Sequence, residues 1–91
     1  MIVSCRDKET ERILKRLPSR KYQAVQDRAE ERLAQLDAST ELKDLSMPSM
    51  RLEKLGGDRK GQYSIRVNDR YRICFEWRDG NAYQVEIVDY H

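Results

Sequence analysis

The sequence predicts an α+β fold in which two N-terminal helices pack on a twisted, mainly antiparallel β-sheet. Three observations carry this expectation. Apolar residues recur at three- and four-residue spacing through the first 36 positions, whereas residues 51–90 are rich in β-branched and aromatic residues that alternate with polar ones. The two patterns also follow one another without interleaving, which describes helices and then a strand meander instead of βαβ units.

The elements can be justified in order. Met1 to Cys5 is short and β-branched and reads as a first strand. Asp7 offers an N-cap for a helix that places Thr10, Ile13, Leu14 and Leu17 on one face, and Pro18 closes it. Residues 19–36 form a second helix, with Tyr22, Val25, Ala29, Leu33 and Leu36 as its buried stripe. Residues 37–50 read as a connection with one short turn at 41–45. Four strands follow at 51–55, 61–67, 71–78 and 82–90, separated by Gly56-Gly57-Asp58, Asn68-Asp69-Arg70 and Asp79-Gly80-Asn81.

Strand parity then fixes a register. A three-residue loop at 68–70 pairs Val67 with Tyr71 and Ile65 with Ile73, and so sets Arg66 across from Arg72. Like charges facing each other are destabilising, which asks for an anion nearby. A three-residue connection at 79–81 likewise pairs Trp77 with Tyr83, Phe75 with Val85 and Ile73 with Ile87, and leaves Arg72 beside Val88 and Arg70 beside Tyr90. The face opposite the core therefore gathers Arg66, Arg70, Arg72 and Tyr90. Arginines on an open sheet face are ordinary, so a solvated surface and an RNA-binding one both remain open at this point.

At 91 residues the chain fits one domain, 1–91, with a thin core, since 38% of its residues are hydrophobic and 37% charged; a chain this short buries only about 60% of its unfolded surface. The net charge of +2 is too small to diagnose a nucleic-acid binder, but residues 51–72 carry seven Lys or Arg against three acids, enough to hold a polyanion locally with strong salt dependence. Cys5 and Cys74 have no paired spacing and read as reduced thiols; with a single histidine they give no structural zinc set. No signal-like or membrane-spanning run is expected, which points to the cytoplasm. His91 either moves a proton near pH 7 or is a frayed end, and Asp89 falls on the Tyr71 side, where it orients a His or Arg or caps the sheet edge. No glycine-rich phosphate loop or Ser-His-Asp set is present, so no cofactor is expected and any catalysis should be metal-free.

The run from Arg51 to Phe75, with its Gly57-Asp58-Arg59, Gly61, Tyr63-Ser64-Ile65, Val67-Asn68 and Tyr71-Arg72-Ile73 steps, resembles the HigB branch of the RelE/ParE toxin family. So do the ending Val85 to His91, the opening Met1 to Ser4 and the helix segment Arg32 to Ala38. The resemblance implies a RelE-like fold and a type II toxin that acts as a ribosome-dependent mRNA endonuclease in the A site, by attack of a ribose 2′-hydroxyl on the adjacent phosphate. It assigns Arg72 to stabilising the phosphate in the transition state, and Asp89, Tyr90 and His91 to the border of the active site. Arg51, Lys54, Arg59, Lys60, Arg66 and Arg70 are then candidate RNA- and ribosome-binding residues. The implied partners are a HigA-type helix-turn-helix antitoxin, the ribosome and its mRNA, and operator DNA only through the antitoxin. Many members carry a lysine where this chain has Gly56 and a histidine where it has Glu53, so Arg72 is expected to carry more of the stabilisation here. Two other readings stay open: a ParE-like inhibitor of DNA gyrase, and a degenerate toxin that serves as an antitoxin-binding co-repressor.

Overall fold

In the computed structural model, which describes residues 1–90, the chain forms helices α1 (Lys8–Leu14) and α2 (Gln26–Ala38). Strands β1 (Glu53–Lys54), β2 (Gln62–Arg66), β3 (Tyr71–Arg78) and β4 (Asn81–Asp89) follow. The strands form one sheet in the order β1-β2-β3-β4, every neighbouring pair antiparallel. The helices cover one face: Ile13, Tyr22, Ala29, Leu33 and Leu36 are buried against Ile65, Ile73, Phe75, Val85 and Ile87, with Leu45 and Met50 from the connection filling in. Among the described residues no helix is long and apolar enough to cross a membrane.

Asp7 caps α1 as expected, accepting from the Thr10 N–H at 3.3 Å and the Thr10 hydroxyl at 2.6 Å. The helix ends a turn earlier than its apolar spacing suggests. Arg16 takes a left-handed φ of 61°, and the N–H groups of Arg16 and Leu17 turn back to the carbonyls of Ile13 and Arg12, a helix-ending pattern that keeps Pro18 outside the helix. Leu17 is consequently exposed and not part of the core.

The second helix begins at Gln26, not at residue 19. One 3₁₀ turn, Gln23–Val25, leads into it, and side-chain bonds hold the chain in a non-helical path before that turn. Ser19 Oγ donates to Glu9 at 2.7 Å and accepts the Tyr22 N–H at 3.3 Å, while the Gln26 amide accepts from the Ser19 N–H at 2.9 Å and donates to the Leu17 carbonyl at 2.8 Å. Tyr22 is buried nonetheless, its hydroxyl donating to the Ile87 carbonyl at 3.3 Å.

The expected first strand is only two isolated parallel bridges, Ile2 to Ala82 and Cys5 to Val85, alongside β4. The ladder is interrupted because the Ile2 N–H donates to Asp37 Oδ1 and the Gln84 N–H to Ser4 Oγ. β1 is shorter than residues 51–55, because Arg51 takes a left-handed φ of 44° after the turn Pro48–Met50.

The β2–β3 register is the expected one, with Ile65 opposite Ile73 and Arg66 opposite Arg72. Asn68 Oδ1 holds the loop by accepting from the N–H groups of Arg70 and Tyr71. The β3–β4 hairpin differs from expectation near its tip. Asp79 and Gly80 have φ of 51° and 78° and make a two-residue type I′ turn, so Trp77 faces Ala82 and not Tyr83. A β-bulge opposite Phe75, with Gln84 at φ 53°, supplies the residue that the shorter turn omits. Ile73 therefore still faces Ile87, and Arg72 still faces Val88. Glycine is required at the turn, since a Cβ at Gly80 would lie 2.9 Å from the Thr40 carbonyl oxygen.

Candidate active site

Alternation along the strands puts Ser64, Arg66, Arg72, Cys74, Glu86 and Val88 on the face away from the helices. Arg51, Glu53, Arg66, Arg72 and Tyr90 line a groove there of about 390 Å³, with Asn68 and Asp69 at one end.

Arg72 forms the floor. Its side chain is 11% exposed, a burial that a guanidinium tolerates only with its donors satisfied. Nε donates to Ser64 Oγ at 2.8 Å, Nη2 donates to the Arg51 carbonyl and more weakly to the Ser64 carbonyl at 3.3 Å, and Nη1 faces Glu53 Oε1 at 3.9 Å. The left-handed turn at Arg51 aims its carbonyl into this contact. Arg66, directly across the strand pair, swings away and forms an ion pair with Asp69. The two like charges are thus relieved by diverging, and both border the same groove.

Beneath Tyr90 lies Cys74, fully buried, with its sulfur 3.7 Å from the Tyr90 hydroxyl. Burial pushes the Cys74 thiol up. Burial likewise raises the Tyr90 hydroxyl, and its contact with Cys74 adds to this. Tyr90 therefore remains a proton donor at neutral pH, with 46% of its surface open to the groove and solvent.

Of the residues singled out from the sequence, Arg51, Arg66, Arg72 and Tyr90 come together here. Arg70 does not, contrary to the expected face: its main-chain carbonyl accepts the Tyr90 N–H at 2.7 Å, as strand pairing requires, but its guanidinium turns to Asp89 at 2.9 and 3.0 Å and lies over the Tyr71 ring. Asp89 is on the Tyr71 side as parity expects, and its hydrogen bond raises the Arg70 guanidinium above its ordinary pKa. Arg59 sits in an adjoining groove, where Glu86 at 3.1 Å raises it and Gln62 holds it at 3.0 Å. Lys54 pairs with Tyr63, which turns it to the helix-side parity, and Lys60 is exposed before Gly61. His91 lies outside the described residues.

Several side chains that shape the site were not picked out from the sequence as site residues. Ser64 anchors Arg72, Cys74 supports Tyr90, and Glu53 forms the rim. Arg32 on α2 is 4% exposed and donates to the Arg66 carbonyl at 2.9 Å and to the Ser49 carbonyl at 3.4 Å, which ties the helix to the main chain of β2 and of the turn before Arg51. Its signal was available, since Ala29, Arg32, Leu33 and Leu36 follow the i, i+3, i+4, i+7 stripe. Among the described residues no three His, Cys, Asp or Glu side chains converge as a metal site would need.

A buried arginine with one nitrogen facing a groove, two more arginines on its walls and a protonated tyrosine at its mouth suit a phosphodiester next to an unstacked base. Comparison with known proteins points the same way. Residues 6–91 match the family model of the RelE-like toxin of type II toxin–antitoxin system HigB. The chain is 40% identical over 65 residues to the Endoribonuclease HigB of Proteus vulgaris, covering 71% of each. It is 50% identical over 48 residues to the Toxin HigB-1 of Vibrio cholerae serotype O1, covering 52% of this chain and 50% of that one. The family match takes in both helices, all four strands and the groove on the outer face of the sheet, and the chain belongs to the RelE-like HigB toxins of type II toxin–antitoxin systems.

Proposed function

We propose that this toxin is an endoribonuclease that cuts translated mRNA in the ribosomal A site without a metal ion and so stops translation. The observation that supports this most is Arg72, buried and held on two sides by Ser64 and Arg51, with Nη1 left toward a groove lined by arginines. A guanidinium fixed in advance where phosphate charge develops lowers the barrier without reorganising during the reaction. Arg72 and Tyr90 border the reacting phosphate; Asp89 acts from the neighbouring edge by holding Arg70, and His91 completes the terminal triplet. Arg51 and Arg66 grip the RNA backbone, and Arg59, Lys54, Lys60 and Arg70 present charge to ribosomal RNA around the groove. The antitoxin that membership of a type II family implies is of the HigA helix-turn-helix kind, and operator DNA is reached through it alone. Such a toxin works in the cytoplasm, where its ribosomes are.

Primer extension on a defined message tests the reading, with purified protein, in EDTA-treated and magnesium-containing buffers, and with and without ribosomes stalled on that message. Breaks at in-frame codons only with ribosomes, and 5′-hydroxyl ends on the products, are expected. No cleavage by a folded sample would favour gyrase inhibition or a toxin that retains only antitoxin binding.

A further inference from the structure

Arg32 is an unusual residue for its position. It stands in the buried stripe of α2 with Ala29, Leu33 and Leu36, where helix periodicity alone would place another apolar side chain. A guanidinium withdrawn from water needs acceptors for its donors, and here they are all neutral: Nε donates to the Arg66 carbonyl at 2.9 Å, Nη1 to Gln35 Oε1 at 2.9 Å and Nη2 to the Ser49 carbonyl at 3.4 Å. Stability gives little reason for such a residue, since a well-packed apolar side chain of similar volume often serves a buried site as well or better. Its acceptors supply another reason. Arg66 faces Arg72 across the β2–β3 pair. Ser49 lies in the turn Pro48–Met50, which ends at Arg51 in the left-handed region with φ of 44°. The Arg51 N–H donates back to the Pro48 carbonyl at 3.3 Å, and the Arg51 carbonyl accepts from Arg72 Nη2. Left-handed backbone at a residue other than glycine persists only where its surroundings impose it, and the bond from Arg32 to Ser49 fastens this turn to α2.

We propose that Arg32 is a positioning residue for the cleavage step, a role that rests on the endoribonuclease reading above. By holding the turn 48–51 and β2 at a set separation, it fixes where the Arg51 carbonyl lies and so how the Arg72 guanidinium is aimed. Arg32 does not line the groove, and its effect on the rate passes through Arg72. Misplacing a reacting group by about 1 Å costs about 10²-fold, so loosening the turn should be felt in the chemical step and not in docking.

The test is single-turnover cleavage of a message on saturating stalled ribosomes by R32M and R32K, each alone and combined with R72A, with rates corrected for the folded fraction from urea unfolding. R32M replaces the fork with an apolar side chain of similar length. It should lose about 10- to 10²-fold in rate with its affinity for the ribosomes unchanged. R32K, whose ammonium lacks the planar fork that spans both carbonyls, should recover part of that loss. With Arg72 already removed, neither variant should slow cleavage further, because residues that act through one another are not additive. Nuclear magnetic resonance of the arginine side chains gives a readout independent of activity: separate Nη signals of Arg72 in the parent, held by the Arg51 carbonyl, should merge in R32M as that bond loosens. Should R32M fail to fold, R32K carries the same comparisons. A folded variant that cleaves at the parent rate, or one that loses the same factor with and without Arg72, would overturn the role of Arg32 while leaving the endoribonuclease reading intact. A wild-type toxin that cleaves no RNA would overturn that reading and this role with it.

Discussion

Replacement of Arg72 separates what the groove does for stability from what it does for chemistry. In Arg72→Ala three donated hydrogen bonds disappear, to Ser64 Oγ, the Ser64 carbonyl and the Arg51 carbonyl. At a net value of about 1 kcal/mol each, less what water recovers in the vacated space, the native state should lose about 2 kcal/mol. The loss in rate should be larger. Removing one preorganised donor at a developing oxyanion costs about 10²- to 10³-fold, and here the floor of the groove goes with it. Arg72→Lys is the sharper probe: an ammonium keeps the charge but cannot hold Ser64 and Arg51 while also facing the groove, so its rate should fall nearly as far although its stability falls less. Single-turnover cleavage on stalled ribosomes, corrected for the folded fraction from urea unfolding, gives both quantities. A folded Arg72→Ala protein that cleaves within about threefold of the parent would refute the assignment, since that lies well below the loss expected for one donor.

Thr10 Oγ1 accepts the buried Ile87 N–H at 3.1 Å while donating to Asp7, so Thr10→Val should leave that N–H unpaired and lower unfolding free energy by about 1–3 kcal/mol; an unchanged urea midpoint would count against the contact. Burial pushes the Cys5 thiol from 9.0 up to about 11, with Glu11 and Asp7 adding to it. Because the folded value lies above the unfolded one, the stability this thiol contributes is complete below pH 9 and disappears as pH rises toward 11. Its thiolate is correspondingly scarce, and iodoacetamide at pH 8 should label native Cys5 about a hundredfold more slowly than the urea-unfolded chain; equal rates would contradict the burial. Gly56 has extended backbone, with φ of −124°, and a Cβ there meets nothing within 4 Å. Gly56→Lys should therefore raise stability by about 0.4–1 kcal/mol through the unfolded state and tighten RNA binding at low salt, both readable from urea melts and filter binding.

The elements that were legible in the sequence are those whose pattern is local or fixed by parity. The Asp7 cap, the buried positions of α2, β3 and the β2–β3 register all follow from spacing alone. So does the placing of Arg66 and Arg72 on one face, whereas Tyr90 reaches it only because the bulge at Gln84 offsets the shorter turn. What failed depends on tertiary partners. Residues 19–25 carry a helical apolar spacing, yet Ser19 and Gln26 find better partners in Glu9 and Leu17. Arg70 has the parity of the groove, but it sits next to Asp89 and an aromatic ring that claim its guanidinium. Ser64 and Cys74 are unremarkable residue types whose importance lies only in being beside Arg72 or Tyr90, which no one-dimensional pattern reports.

The turn at Asp79-Gly80 and the bulge at Gln84 act on the chain in opposite directions: the first is one residue short of the expected connection and the second is one residue long. Everything after Gln84, including Glu86 and Tyr90, keeps its side of the sheet only because the two offset each other. Deleting Gln84 alone is therefore an inversion of the whole C-terminal strand and not a trim, and it would carry Tyr90 off the groove. Deleting it together with a one-residue insertion at the turn restores the pairing of Ile73 with Ile87. Length variation in this hairpin should accordingly be tolerated in matched pairs, so that two chains with different loops and different strands present the same groove.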